Sequence, residues 1–205
     1  MRRFLAPLSA ADAVELAALL RRGGVAIIPT DTVYGVAAMP GNSEALARIV
    51  AAKGRDPSKP CQLLAASVEA VASAGIPLPP RAAALAAAFW PGALTLVLDL
   101  PRGGTEGVRV PDHAVARAIC EAAGGTLRCT SANHSGLPPA LSADDAAAAL
   151  PDADAVVDAG PAPGGVASTV AKVDREGALA ILREGALPRA ALEAALAGLP
   201  GARGL

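Results

Sequence analysis

The chain has 205 residues, 53% of them apolar but only 2% aromatic, with 18 basic against 19 acidic side chains. That length supports one globular domain whose core is built from Ala, Leu, Val and Ile. Near-neutral charge argues against a global pull toward nucleic acid, and the scarcity of aromatics against a stacking platform for single-stranded bases.

The opening MRRFLAPLSAADAVELAALL starts basic, then turns apolar. Asp12 and Glu15 interrupt the apolar part at helical spacing, which makes a poor signal peptide. Ser9 is a candidate N-cap with Asp12 three positions on, predicting a helix over 10–22 that Gly23 and Gly24 stop. Residues 25–28 read as a buried strand and 33–38 as a second extended piece after a Pro-Thr-Asp-Thr turn. A helix over 43–53 follows, then a short strand at 61–66 and a short helix at 67–73. PPRAAALAAAFWPG has Pro near its start and Pro-Gly after its end, the pattern of a delimited helix. ALTLVLDL reads as a strand and GVRVP as a short extended piece. Residues 113–123 read as a helix, TLRCTSAN as a strand entering a polar turn, and 143–150 as a helix. DAVVDAG, STVAKVD and ALAILREG predict three strands. A helix over 188–197 and a frayed tail close the chain. Strands alternate with helices through the first three-quarters and cluster afterwards, which favours a single α/β layer fold with a mixed sheet. No run reaches the roughly 18–20 apolar residues that span a bilayer, so a cytoplasmic location without membrane contact is expected.

Several catalytic signatures are missing. GPAPGGVAST has the glycines of a phosphate loop without its Lys, and no G-x-G-x-x-G or G-x-S-x-G is present. There are two His, His113 and His134, and no Cys/His cluster with zinc spacing, so no metal ligands are assigned. Cys61, Cys120 and Cys129 sit among apolar neighbours and read as buried, reduced thiols.

Polar clusters gather instead at element ends: PTDTVYG, KGRDPSK, TEGVRVP, TSANHSG, STV and REG. Each has a bland reading. Lys53 and Arg55 could complement a helix C-terminus, and SANHSG could be an ordinary turn. Arg109 and Arg183 could be surface charges, Thr32 and Thr169 β-formers. Tyr34 could be a core residue whose hydroxyl reaches a carbonyl. Together, cations and hydroxyls at strand ends, with no metal cage, suit a polar, phosphate-bearing ligand.

In this order the clusters resemble the YrdC-like family, from about residue 10 to 187. The resemblance implies a twisted mixed parallel and antiparallel sheet with flanking helices and a concave active-site face. It implies a catalytic domain over 10–187, with 188–205 a C-terminal helix and tail, in the manner of the short bacterial form. It implies the synthesis of L-threonylcarbamoyladenylate and pyrophosphate from L-threonine, bicarbonate and ATP, with Mg²⁺ accompanying ATP. The product would feed a threonylcarbamoyl transferase complex that makes N6-threonylcarbamoyladenosine in tRNA. By similarity, Thr32, Arg109 and Thr169 match threonine-binding positions. Lys53, Arg55, Lys59, Thr105, Ser131, Asn133 and Arg183 match the nucleotide side, with Lys53 and Arg55 expected as the catalytic phosphate clamp. The sequence departs from the family pattern at Asp56, Lys59, Leu64 and Pro139. An RNA-binding module of the same fold, and a related carbamoyl-adenylate-forming enzyme, are the alternatives.

Overall fold

Successive side chains along a strand point to opposite faces of its sheet, and here that alternation decides which residues are packed and which are left open. A computed structural model describes residues 1–174, 176–197 and 199; the frayed tail expected over 198–205 lies, apart from Leu199, outside them. In chain order the elements are β1 (Arg2–Leu5), α1 (Ala10–Arg21), β2 (Ala26–Ile28), β3 (Gly35–Ala38), α2 (Ser43–Lys53) and β4 (Gln62–Ala65). Then come α3 (Val68–Ser73), α4 (Pro80–Phe89), β5 (Leu94–Asp99), β6 (Thr105–Arg109), α5 (Ala114–Ala123) and β7 (Thr126–Ser131). The rest are α6 (Ala143–Ala149), β8 (Ala155–Asp158), β9 (Thr169–Val173), β10 (Leu179–Arg183) and α7 (Arg189–Leu196).

The helices begin where the sequence signals. Ser9 and Asp12 form a reciprocal capping box on α1, and Asn42, Ser67 and Ser142 cap α2, α3 and α6 with their side chains. α2 ends at Gly54, whose φ of +55° favours glycine. β1 has no counterpart among the expected elements. It pairs in parallel with β8 at the edge of the sheet, and of its four residues only Phe4 is buried. Pairing with a distant strand makes it, so a local pattern could not reveal it.

The ten strands form one mixed sheet in the order β1-β8-β2-β3-β7-β4-β6-β5-β9-β10. One face is covered over most of its width. α2 and α6 pack over β2, β3 and β8 through Ile27, Val36, Ile49, Leu150 and Val156. On the same face α3, α4 and α7 pack over β4, β5, β6 and β9 through Leu63, Leu85, Leu96, Val108 and Leu192. The opposite face is covered only in part: α1 and α5 bury Leu16, Leu20, Ile28, Ile119 and Leu127. Leu64 and its register partner Arg109 mark where that cover ends. Beyond them the sheet carries Thr95, Thr105, Arg109 and Arg183 on a concave, uncovered surface.

α7 belongs to this packing, since Leu192 and Leu196 are buried against α4 and the sheet. Leu192→Ala should therefore cost about 2–5 kcal/mol, the range for a buried Leu truncation. Urea unfolding would check this; a loss below about 1 kcal/mol would detach α7 from the core.

Candidate active site

The uncovered half-face forms a cavity of about 450 Å³. Arg109 is its anchor. It lies on β6, an interior strand, and is only 3% exposed, which removes the reading of a surface charge on an edge. Its Nε donates to Gly92 O at 2.8 Å, Nη1 to Thr32 Oγ1 at 2.9 Å and Nη2 to Asp31 Oδ1 at 2.5 Å. A guanidinium has five N–H donors; with three used, two remain for a ligand.

The Pro-Thr-Asp-Thr turn is held by its own hydroxyls. Thr30 Oγ1 donates to Val33 O at 2.6 Å and accepts from the Thr32 and Val33 amides, both at 3.2 Å. Thr30 Oγ1 lies 3.0 Å from Thr32 Oγ1, so the Thr32 proton points to Thr30 or into the cavity. The loop after β8, the GPAPGG stretch, braces the same turn. Gly165 N donates to Thr32 O at 2.9 Å, and a Cβ on Gly164 would stand 2.5 Å from Asp31 O. Tyr34 is wholly buried; its hydroxyl donates to Gly160 O at 2.6 Å and accepts from Ala159 N at 3.1 Å. It supports the wall from behind, as the core reading of that residue expects. Gly35 makes room for a neighbour: a Cβ there would come within 2.6 Å of Cys129 Sγ.

Arg55 and Arg183 line the cavity with Arg109. Arg55 Nε and Nη2 donate to Lys59 O at 3.0 Å and Pro60 O at 3.1 Å, curling the 54–60 loop around the side chain. Arg183 Nη2 donates to Ser168 O at 2.7 Å. Its pKa is lowered by burial and then by the charges of Arg109 and Arg55, as expected for guanidinium groups lining one cavity. Thr105, Ser131 and Asn133 also line the cavity. Asn133 Nδ2 donates to His134 O at 2.9 Å and Leu137 O at 2.7 Å, which fixes the turn that follows β7.

Three residues expected in the site stand elsewhere. Lys53 is buried, and its ammonium donates to the carbonyls of Ser131 and Asn133. It braces the turn from behind, while Arg55 is the member of the expected clamp that reaches the cavity. Thr169 is fully buried because it alternates onto the covered face of β9. Its Oγ1 donates to Leu187 O at 2.6 Å and accepts from Gly185 N and Leu187 N, both at 3.0 Å. The preceding residue, Ser168, is the one that lines the cavity. Lys59 is exposed on the loop and does not line the cavity.

Gln62 and Thr95 also line the cavity and were absent from the expected set. The signal was present: Thr95, Val97 and Asp99 alternate with Leu94, Leu96 and Leu98, and Gln62 is the polar residue of its strand. Burial pushes the Cys129 thiol up to about 12, so it stays protonated and supplies no nucleophile. All three Cys are buried and free, as expected. Among the described residues no group of three or more His, Cys, Asp or Glu is placed to hold a metal ion, and no helix is long and apolar enough to cross a membrane.

The sequence model of the Sua5/YciO/YrdC family, described as telomere recombination, matches residues 18–185. A threonylcarbamoyl-AMP synthase of Bacillus subtilis is 36% identical over 202 residues, covering 93% of this chain and 58% of that protein. A threonylcarbamoyl-AMP synthase of Chromohalobacter salexigens is 41% identical over 157 residues, covering 72% of this chain and 83% of that protein. Among solved structures, P. abyssi Sua5 complexed with L-threonine superposes with a TM-score of 0.86 at 32% identity, covering 96% of this chain and 60% of that one. The chain thus spans about three-fifths of the length of the B. subtilis and P. abyssi proteins.

Two outcomes follow from the buried charges. Asp31→Ala leaves the Arg109 guanidinium without its counter-charge and should destabilise the protein by about 3–5 kcal/mol, read by urea unfolding. For Lys53, burial and then the Arg55 charge push the ammonium down to about 8. The unfolded value is about 10.4, so between about 8 and 10.4 the unfolded chain binds the extra proton. This group's contribution to stability therefore rises with pH across that window. Unfolding free energies measured from pH 7.5 to 10 should show wild type gaining on Lys53→Met; a constant difference would contradict it.

Proposed function

The chain belongs to the Sua5/YciO/YrdC family, and from that premise we propose that it makes threonylcarbamoyl-AMP and pyrophosphate from L-threonine, bicarbonate and ATP. The observation that carries this reading is the convergence of Arg55, Arg109 and Arg183 on one recessed cavity, with the Thr32 hydroxyl bonded to Arg109. Guanidinium groups converging on one small cavity suit small polyanions rather than an RNA duplex.

Threonine lies with its carboxylate on the two free Arg109 donors and its polar groups near Thr32 and Ser168. Arg55, Arg183, Thr105, Ser131 and Asn133 take the nucleotide. The threonine amine takes up bicarbonate to give a carbamate and water. A carbamate oxygen then attacks the α-phosphorus of ATP, forming the mixed anhydride and releasing pyrophosphate. No covalent intermediate with the protein is needed. The chain's work is to hold three reactants in line and to offset charge on the triphosphate. The donors in the cavity do not make a cation cage, so Mg²⁺ is not a resident of the protein and enters on the ATP phosphates with water. The product passes to a threonylcarbamoyl transferase complex acting on tRNA, in the cytoplasm.

Pyrophosphate release should require both threonine and bicarbonate when each is omitted in turn, and release that ignores threonine would overturn the reading. Arg55→Ala should lower kcat/KM by a factor corresponding to about 2–4 kcal/mol of lost electrostatic stabilisation.

A further inference from the structure

Gln62 begins β4 on the open face, and β6 lies between β4 and β5. Where the Gln62 side chain crosses β6 it meets Gly107: a Cβ there would stand 3.6 Å from Gln62 Cβ and 3.8 Å from Thr95 Cγ2. With no side chain in between, Gln62 reaches across to β5, and its Oε1 accepts from Thr95 Oγ1 at 2.7 Å. Thr95 Oγ1 lies 2.9 Å from Ser168 Oγ. A hydroxyl has one proton. Thr95 gives its proton to Gln62, so Ser168 donates to Thr95, and Arg183 in turn donates to the Ser168 carbonyl. This chain turns the Gln62 amide so that Oε1 faces Thr95 and Nε2 faces away from it. Among the described residues Nε2 has no protein partner, and it is not one of the shielded unpaired atoms. A fixed, reachable donor therefore opens on the cavity, one strand over from Arg109.

We propose that Gln62 Nε2 binds the carboxyl source, donating to an oxygen of bicarbonate and of the carbamate formed from it. This rests on the proposed reaction. In that reaction Arg109 takes the amino-acid carboxylate, and Arg55 and Arg183 take the phosphates. The one-carbon oxoanion must lie between those ends, where a neutral donor is the better partner. The carbamate oxygen has to attack phosphorus, and a guanidinium clamp would hold its charge too firmly, whereas an amide orients it at smaller cost to its nucleophilicity.

The test is steady-state pyrophosphate release in carbonate-depleted buffer, with bicarbonate, threonine and ATP each varied. Gln62→Leu should raise the bicarbonate KM about tenfold or more, with the threonine and ATP KM values within about twofold of wild type. Gln62→Glu, nearly isosteric and so a guard against misfolding, should raise the same constant. Thr95→Val, which keeps the amide but frees its orientation, should raise it by less. An unchanged bicarbonate KM in Gln62→Leu and Gln62→Glu overturns the inference, as does a rise confined to threonine or ATP. If wild type itself releases pyrophosphate without bicarbonate, both this subsite and the proposed reaction fall. A bicarbonate requirement that Gln62 variants leave untouched removes the subsite alone.

Discussion

The site depends on one buried charge. Taking a guanidinium out of water costs several kcal/mol even after relaxation, and Arg109 meets that cost with three partners from two separate turns. Asp31 and Thr32 come from the turn after β2, Gly92 from the turn after α4. Each bond that makes Arg109 tolerable also fixes one wall against another. The turn is fixed in its own right by Thr30 and, from outside, by the loop after β8. Moving any of these would expose an unpaired buried charge, so the guanidinium is held in place before a ligand arrives. A carboxylate with two acceptors suits a fixed guanidinium better than a single point charge would.

Packing explains why the anchor stands at a cavity. One sheet face is covered over most of its width, the other only as far as Leu64 and Arg109. On the strands beyond that line the covered-face positions are mostly Leu, Val and Ala, and the open-face positions include Gln, Thr and Arg. A further helix there would bury hydroxyls and cations without apolar partners. The sequence therefore both completes the core on one side and keeps the other side free for a ligand. The same strands that carry Leu96 and Val108 into the core carry Thr95 and Arg109 into the cavity.

Element order, nearly all helix boundaries and the mixed sheet were legible because the signals are local: caps, Gly stops and runs of apolar residues. The β1 strand was not, since its partner lies more than 150 residues away. For the site, the ordered polar clusters lie around one cavity, and alternation within them decides which individual residues line it. In Ser-Thr-Val a one-residue difference in register moves a hydroxyl from the cavity to the core, and Thr169 is on the core side. Lys53 ends a helix whose last turn packs inward, so a residue type that suits phosphate serves the backbone carbonyls of Ser131 and Asn133. Asp31 is the converse: it drew no role from the sequence beyond its place in the Pro-Thr-Asp-Thr turn, and it carries the counter-charge of the anchor.

Lys53, Thr169 and Tyr34 share a role that bears on how such a site works. Each places a polar group behind the cavity wall and spends it on backbone atoms of a loop: the turn after β7, the segment after β10, the loop after β8. Loops held this way need little reorganisation when charge develops on a ligand, which is where electrostatic stabilisation gains most. The cations inside the wall are the complement. Arg55, Arg109 and Arg183 bring like charges together, and the pKa of Arg183 is lowered first by burial and then by the charges of the other two. A polyanion entering among them relieves that repulsion and meets donors already aimed. In the proposed reaction charge shifts from the α-phosphorus toward the departing pyrophosphate. Rigid loops outside and preset cations inside then favour the transition state over bound substrate, and no side-chain nucleophile is required.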